Sequence, residues 1–397
     1  MSLQSTPSSE RLHIGFFGRR NAGKSSLVNA VTGQQLAVVS DVKGTTTDPV
    51  SKAMELLPLG PVVIIDTPGF DDEGALGTLR VQKTKEILRR VDVAVLVADA
   101  TVGLTDTDRE LLTLFAAREI PALIAYNKTD LPHPTVTDGL SVSAKNGTGV
   151  EALKNAIGQL AGEREQKPIV RDLLQSGDLA VLVTPIDSAA PKGRLILPQQ
   201  QTLRDLLDGG CLATVTRETE LPAALAALAA PPAIVITDSQ AFGVVSQIVP
   251  PSVPLTSFSI LMARYKGNLP AAVEGAAMLD KLQDGDKVLI AEGCTHHRQC
   301  GDIGSVKLPA WINQYTGKQI DFAFCSGNEF PEDLSPYRLV LHCGGCMQTE
   351  REMRSRARIA TDSGVPMTNY GVAIAQLHGI LRRSLSPFPE LLKLLNT

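Results

Sequence analysis

At 397 residues, with 43% of positions apolar and 20% charged, the chain is long enough for two or three domains with cores of their own, which excludes a small stapled scaffold. A formal net charge of -4 leaves no electrostatic footprint for nucleic acid, and no apolar run approaches the roughly 18 residues that a membrane span needs. Met1 to Arg11 is polar and lacks the apolar stretch of a secretory signal, so the expected compartment is the reducing cytoplasm, where clustered cysteines point to metal or redox chemistry.

From His13 onward, short β-rich runs alternate with amphipathic helical stretches. Ile14 to Phe17, Val62 to Asp66, Val93 to Asp99 and Leu123 to Asn127 read as buried parallel strands. This rhythm predicts an α/β domain, a doubly wound, mostly parallel sheet with helices on both faces. The domain is expected to close with a helix from Val150 to Leu160, and the polar stretch Gly162 to Pro168 makes a linker, which places the first boundary at residues 1–168. A smaller α/β unit at 169–266 follows, with strands at Leu179 to Thr184, Ala213 to Thr216, Ala233 to Thr237 and Leu255 to Ser259, and helical stretches at Thr202 to Leu207 and Leu221 to Ala229. It carries only Cys211, read as a small apolar side chain, so the unit is structural or an assembly surface. A second small α/β unit at 267–397 has strands at Lys287 to Ala291, Ile320 to Phe324 and Arg338 to Leu341. The arginines Arg351, Arg354, Arg356 and Arg358 alternate with Glu350 and Glu352 in a pattern that reads as a solvated helix face.

The first domain carries its chemistry in order. Gly18-Arg19-Arg20-Asn21-Ala22-Gly23-Lys24-Ser25 is a phosphate-binding loop between an apolar strand and the helical run Ser26 to Val31. Its backbone N–H groups wrap phosphates, Lys24 meets the outer ones, and Ser25 binds Mg2+ at a helix N-terminus that favours anions. Asp66-Thr67-Pro68-Gly69 supplies a carboxylate for the Mg2+ and a glycine N–H for the γ-phosphate. In Gly44-Thr45-Thr46-Thr47-Asp48, Thr46 is chosen over Thr45 to complete the Mg2+ shell, in a loop ordered by the γ-phosphate. Asn127-Lys128-Thr129-Asp130 selects the base, because a carboxylate at Asp130 accepts two hydrogen bonds from guanine and would stay unsatisfied against adenine. Ser143-Ala144-Lys145 stands where an Ala144 N–H would read the guanine O6. The expected substrate is GTP.

These residues resemble the GTPase branch that includes MnmE and Era, through Asn21-Ala22-Gly23-Lys24-Ser25-Ser26 and Gly44-Thr45-Thr46. In potassium-activated members of that branch, the residue at the position of Asn21 helps to hold a K+ ion, so the resemblance implies K+-stimulated hydrolysis. Phe70 follows Gly69 where Ras-like enzymes carry a water-positioning glutamine, so unaided turnover is expected to be slow.

The last third of the chain holds Cys294-Thr295-His296 and His342-Cys343-Gly344-Gly345-Cys346. Cys294 and Cys343 each follow a strand, and ligands of α/β sheets gather outside the carboxyl ends of strands. The Cys343-x-x-Cys346 spacing lets two thiolates converge on one centre. Spacing alone leaves open a zinc ion completed by His296 or His342, a 4Fe-4S cluster on three thiolates with a replaceable fourth ligand, and a metal-free thiol pair. His296 and His342 are candidates for the fourth ligand or for groups that orient the thiolates. His297 and Glu292 are further candidates, while Cys300 and Cys325 read as buried or peripheral thiols.

The whole pattern, Cys-x-His and later His-Cys-x-x-Cys behind a GTPase, resembles the HydF family, the maturation factors of FeFe-hydrogenases. That resemblance implies a 4Fe-4S cluster on Cys294, Cys343 and Cys346, and a scaffold and carrier role for a diiron cluster cargo. It also implies a homodimer formed through the middle domain, with the radical SAM maturases HydE and HydG and the apo FeFe-hydrogenase as partners. The competing readings are a tRNA-modification or ribosome-assembly GTPase with a structural zinc site, and a regulatory GTPase with a zinc-stabilised binding module.

Overall fold

The computed structural model describes residues 6–34, 50–69, 84, 86–162, 167–186, 195–293, 302–327 and 329–396. The chain divides into two compact units, Met1–Glu165 and Gln166–Thr397.

In the first unit the strands β1 (Leu12–Phe17), β2 (Val50–Leu56), β3 (Gly60–Asp66), β4 (Val93–Asp99), β5 (Ala122–Asn127) and β6 (Leu140–Ser141) form one six-stranded sheet in the order β2-β3-β1-β4-β5-β6. Only β2 runs antiparallel to its neighbour. Alternate residues of the central strands point to opposite faces. Ile14, Val62 and Val95 pack with Leu27 and Leu153 of the helices Lys24–Thr32 and Val150–Ala161 on one side. Phe17, Ile65 and Leu96 pack with Leu111 and Phe115 of Asp106–Ala117 on the other. The sheet is therefore doubly wound, as the alternating runs predict. Strand β2 has no counterpart among the predicted elements, because it is an edge strand exposed along most of its length and shows no buried apolar run.

The second unit holds two four-stranded sheets. Strands β7 (Leu179–Val183), β8 (Leu212–Thr216), β9 (Ile234–Thr237) and β10 (Leu255–Ser257) lie in the order β10-β9-β7-β8. Strands β11 (Lys287–Glu292), β12 (Asp321–Ser326), β13 (Leu339–His342) and β14 (Met367–Asn369) lie in the order β12-β11-β13-β14. All pair in parallel. One hydrophobic core, from Ile169 to Leu391, includes Val181 and Ile236 of the first sheet and Ile290 and Leu341 of the second, while Leu289, Val340 and Met353 belong to a smaller core on the other face of the second sheet. Thr368 at the middle of β14 donates to the carbonyl of Ala272 on the helix Leu269–Ala276 (2.7 Å). The strand expected to reach Ser259 stops at Ser257, whose hydroxyl accepts from the Ile260 N–H (3.2 Å) and caps the helix Phe258–Tyr265. No helix among the described residues is long and apolar enough to cross a membrane.

Candidate functional site

The phosphate-binding loop joins β1 to the helix Lys24–Thr32. Gly18 adopts φ 137°, and a Cβ there would stand 2.2 Å from the Val97 carbonyl oxygen, so no other residue fits this turn. Asn21 also has a positive φ, 61°, which asparagine tolerates, and it is exposed. Ala22 is buried in the sheet core and Gly23 precedes the helix, with Ser25 and Ser26 in its first turn. The Lys24 ammonium donates to the carbonyls of Gly18 (3.0 Å) and Arg19 (2.8 Å), which curls the loop into a cradle.

Asp66, the last residue of β3, accepts a hydrogen bond from the Ser25 hydroxyl at 2.6 Å. Burial pushes its carboxyl above the usual carboxylate range, against the opposing pull of Ser25 and Lys24. Its Oδ1 is buried with no hydrogen-bond partner among the described residues. An orphaned carboxylate oxygen beside a hydroxyl and a phosphate cradle is the donor set of a Mg2+ site, so the residues fit that ion. Gly69 lies against the loop, where a Cβ would come within 2.9 Å of the Arg20 nitrogen. Thr45 and Thr46 lie outside the described residues, as does Phe70.

At the end of β5, the Asn127 amide donates to the carbonyls of Ala22 (3.1 Å) and Gly23 (3.3 Å) and accepts from the Ala144 N–H (3.0 Å). The two segments expected to read the base are thereby tied to the phosphate loop. Lys128 pairs with Asp99 at the end of β4 (2.6 Å), a partner that motif reading does not supply. The Ser143 hydroxyl donates to Asp130 at 2.8 Å and holds that carboxyl below the usual range, in the ionised form expected of a hydrogen-bond acceptor.

The second candidate site lies at the carboxyl ends of β11, β12 and β13 in the other unit. Ala291 registers against Cys325 on one side and His342 on the other. The half-buried Cys343 Sγ accepts hydrogen bonds from the N–H groups of Gly293 (3.0 Å) and Gly345 (3.4 Å). Gly345 takes φ 62°, which folds the Cys343-x-x-Cys346 turn, and a Cβ there would meet Met353 Sδ at 2.6 Å. Burial raises the Cys343 thiol, opposed by those N–H groups, and pushes Cys346 and Cys325 up to about 11. Gln348 donates to the carbonyl of Gly293 and, at 3.3 Å, to that of Gly327, while the buried Lys266 ammonium donates to the Gln348 carbonyl (2.9 Å). Glu292, buried at the end of β11, accepts a long hydrogen bond from the Tyr370 hydroxyl (3.5 Å). Cys211 is buried far along the chain in the core of this unit, with its thiol against the Gln175 carbonyl.

Cys294, His296, His297 and Cys300 lie outside the described residues. Among the described residues no group of three or more His, Cys, Asp or Glu side chains converges as a metal site. What is described fits a thiolate-bound cluster in kind: a Cys-x-x-Cys turn, backbone N–H donors on one sulfur, and Gly293, one peptide before Cys294, in contact with that sulfur.

His342 is fully buried and both ring nitrogens are engaged: Nδ1 with the Cys343 carbonyl (2.8 Å) and Nε2 with Arg356 Nη1 (2.9 Å). Burial and the adjacent guanidinium push its pKa down to about 3. Arg356 corrects the expectation of a solvated helix face at its own position, because it is fully buried, held by Glu352 (2.8 Å) and the Gly327 carbonyl (2.6 Å) and placed over the Phe330 ring. The signal was in the helical spacing: Glu352, Met353, Arg356 and Ala360 make one buried stripe of the helix Glu350–Asp362.

Comparison with known proteins adds three family matches. The hydrogen maturase F dimerization domain matches residues 169–267, the hydrogen maturase F tetramerization domain residues 270–387, and the 50S ribosome-binding GTPase family residues 13–128. The tRNA modification GTPase MnmE of Dechloromonas aromatica is 32% identical over 168 residues, 40% of this chain and 37% of that one. The MnmE of Heliobacterium modesticaldum is 36% identical over 152 residues, 35% and 32% of the two chains. The chain thus spans about a third of the length of these curated relatives. Among solved structures, an Aquifex aeolicus Era variant bound to GDP.AlF4- is similar at 20% identity, covering 52% of this chain and 93% of that one, with a TM-score of 0.36.

Proposed function

The chain belongs to the hydrogen maturase F family, and from that premise we propose that it is a GTP-hydrolysing scaffold and carrier that holds a 4Fe-4S cluster and delivers the diiron subcluster of the FeFe-hydrogenase active site. The observation that carries the reading is the hydrogen bond from Gly293 N–H to Cys343 Sγ at 3.0 Å. It supports one three-thiolate site, because Cys294 is bonded to a residue that already touches the Cys343-x-x-Cys346 turn.

In this proposal residues 1–168 bind and hydrolyse GTP, 169–266 form the dimer, and 267–397 hold the cluster. Gly18, Ala22, Gly23 and Lys24 enclose the phosphates, and Ser25, Asp66 and Thr46 hold the Mg2+. Asn21 helps to hold a K+ ion, Gly69 contacts the γ-phosphate, and Asn127, Asp130 and Ala144 select guanine. Hydrolysis is slow without a glutamine after Gly69. Its role is conformational, since a bound γ-phosphate can hold a switch that hydrolysis releases. Cys294, Cys343 and Cys346 would hold the cluster, which when bound supplies an iron with a replaceable fourth ligand as the attachment point for the diiron cargo. HydE and HydG supply that cargo, the apo-hydrogenase receives it, and the exchange takes place in the cytoplasm.

Anaerobic purification tests the reading. The expected result is a brown protein with about four irons per chain and a reducible paramagnetic cluster, and GTP turnover that is faster in potassium than in sodium buffer. Stoichiometric zinc with no visible absorbance would sink the cluster assignment. Co-purifying RNA would favour the tRNA-modification or ribosome-assembly alternative.

A further inference from the structure

We propose that Arg356 and His342 form a strut that withholds His342 from the metal and positions Cys343, leaving the fourth coordination place to a group from another part of the chain or from the cargo. The inference rests on the cluster reading above, but its geometry stands without a cluster. A guanidinium has donors only, so Arg356 Nη1, 2.9 Å from His342 Nε2, makes that nitrogen the acceptor and puts the ring proton on Nδ1. Nδ1–H then donates to the carbonyl of Cys343 at 2.8 Å. The neutral ring has no lone pair left for a metal. Freeing Nε2 would strip one acceptor from a cation that is fully buried and whose other nitrogens are taken by Glu352 Oε1 at 2.8 Å and the Gly327 carbonyl at 2.6 Å.

The strut also has a direction. It runs from the buried face of the helix Glu350–Asp362 through the ring to the peptide that carries Cys343, whose sulfur faces the N–H groups of Gly293 and Gly345. Arg356 is thus a positioning residue for a cluster ligand that it does not touch. Its charge, balanced in part by Glu352, favours the ionised form of Cys343 and with it the more negative, reduced state of a cluster held there.

The test uses the full-length chain, labelled with 15N-histidine, before and after iron-sulfur reconstitution. In the cluster-free protein, long-range 15N–1H correlation should place the His342 proton on Nδ1; a proton on Nε2 overturns the strut. In the reconstituted protein, pulsed paramagnetic resonance should show no ligand-strength nitrogen coupling that His342→Gln removes; finding such a coupling overturns the proposal. Arg356→Lys keeps the charge and removes the fork, and Arg356→Met removes both. The expected result is a lower midpoint potential in Arg356→Met than in Arg356→Lys, and in both a histidine nitrogen coupling absent from the parent chain. If whichever variants retain the parent circular dichroism also keep its potential and spectrum, Arg356 is only structural and the proposal fails. Failure of the parent chain to bind iron would instead defeat the cluster reading, while the cluster-free measurement still decides the strut.

Discussion

The amide of Asn127 joins segments that are distant in sequence, with both of its functional atoms in use: Nδ2 on the carbonyls of Ala22 and Gly23, and Oδ1 on the N–H of Ala144. Asn127→Ala leaves those groups without partners at a cost of about 1–3 kcal/mol. GTP affinity should fall by about tenfold to a hundredfold, and calorimetric titration giving an unchanged Kd would refute the bridging role. Asp66 carries the opposite kind of cost. Its carboxyl is raised by burial, so the folded chain holds this proton more tightly than the unfolded one. Stability is therefore lost as pH rises above the ordinary aspartate range, and the deficit persists at neutral pH. Asp66→Asn should raise the melting temperature of the nucleotide-free protein at pH 7, with the gain vanishing near pH 3, while abolishing Mg2+-dependent GTP hydrolysis. A variant less stable than its parent at pH 7 would show that Asp66 is not under this strain.

At the scale of elements, the helix Glu350–Asp362 connects local sequence to the cysteine site. Thr349 caps it by accepting from the Glu352 N–H at 3.1 Å, and its first turn carries Glu350 and Glu352, which suit the positive end of the helix. Thr349→Ala should cost about 1 kcal/mol of stability in denaturant unfolding. Because the cap sets the turn that presents Glu352 to Arg356, iron retention should fall as well; full retention would separate the cap from the site. The Ser/Thr-x-x-Glu start of this helix is visible in the chain as Thr349 to Glu352. The burial of Arg356 is visible only as a phase, i+4 from Glu352, and charge composition pointed the other way. Strand β2 was illegible for a different reason: its exposed edge needs no apolar alternation, since pairing with β3 alone holds it.

At the scale of the whole molecule, the chain has two compact units, and the two C-terminal sheets share one core. Scanning calorimetry of the full chain should resolve two transitions, with GTP and Mg2+ raising only the one that belongs to Met1–Glu165, by about 2.7 kcal/mol at a hundredfold excess over Kd. Phe258, 2% exposed in the shared core, tests the other unit. Phe258→Ala should cost about 3–5 kcal/mol and lower the second transition as one event, with β7–β10 and β11–β14 unfolding together. A third, separate transition would mean that the sheets are independent domains.

By itself, the order of Gly18 to Ser25, Asp66 to Gly69, Asn127 to Asp130 and Ser143 to Lys145 determined a guanine-nucleotide domain, because each motif depends on local backbone and on residue chemistry that the chain states outright. The period of the buried runs determined the parallel α/β class for the same reason. What the partners of those residues are was decided only by tertiary structure. Lys128 finds Asp99, Asn127 finds the phosphate loop, and Gly293 finds Cys343 because the parallel strands of one sheet end along the same edge, with β4 between β1 and β5 in the second case, a proximity that sequence distance hides. Whether Arg356 faces water or His342 depends on which stripe of its helix the sheet covers, and a charged residue does not announce its own burial.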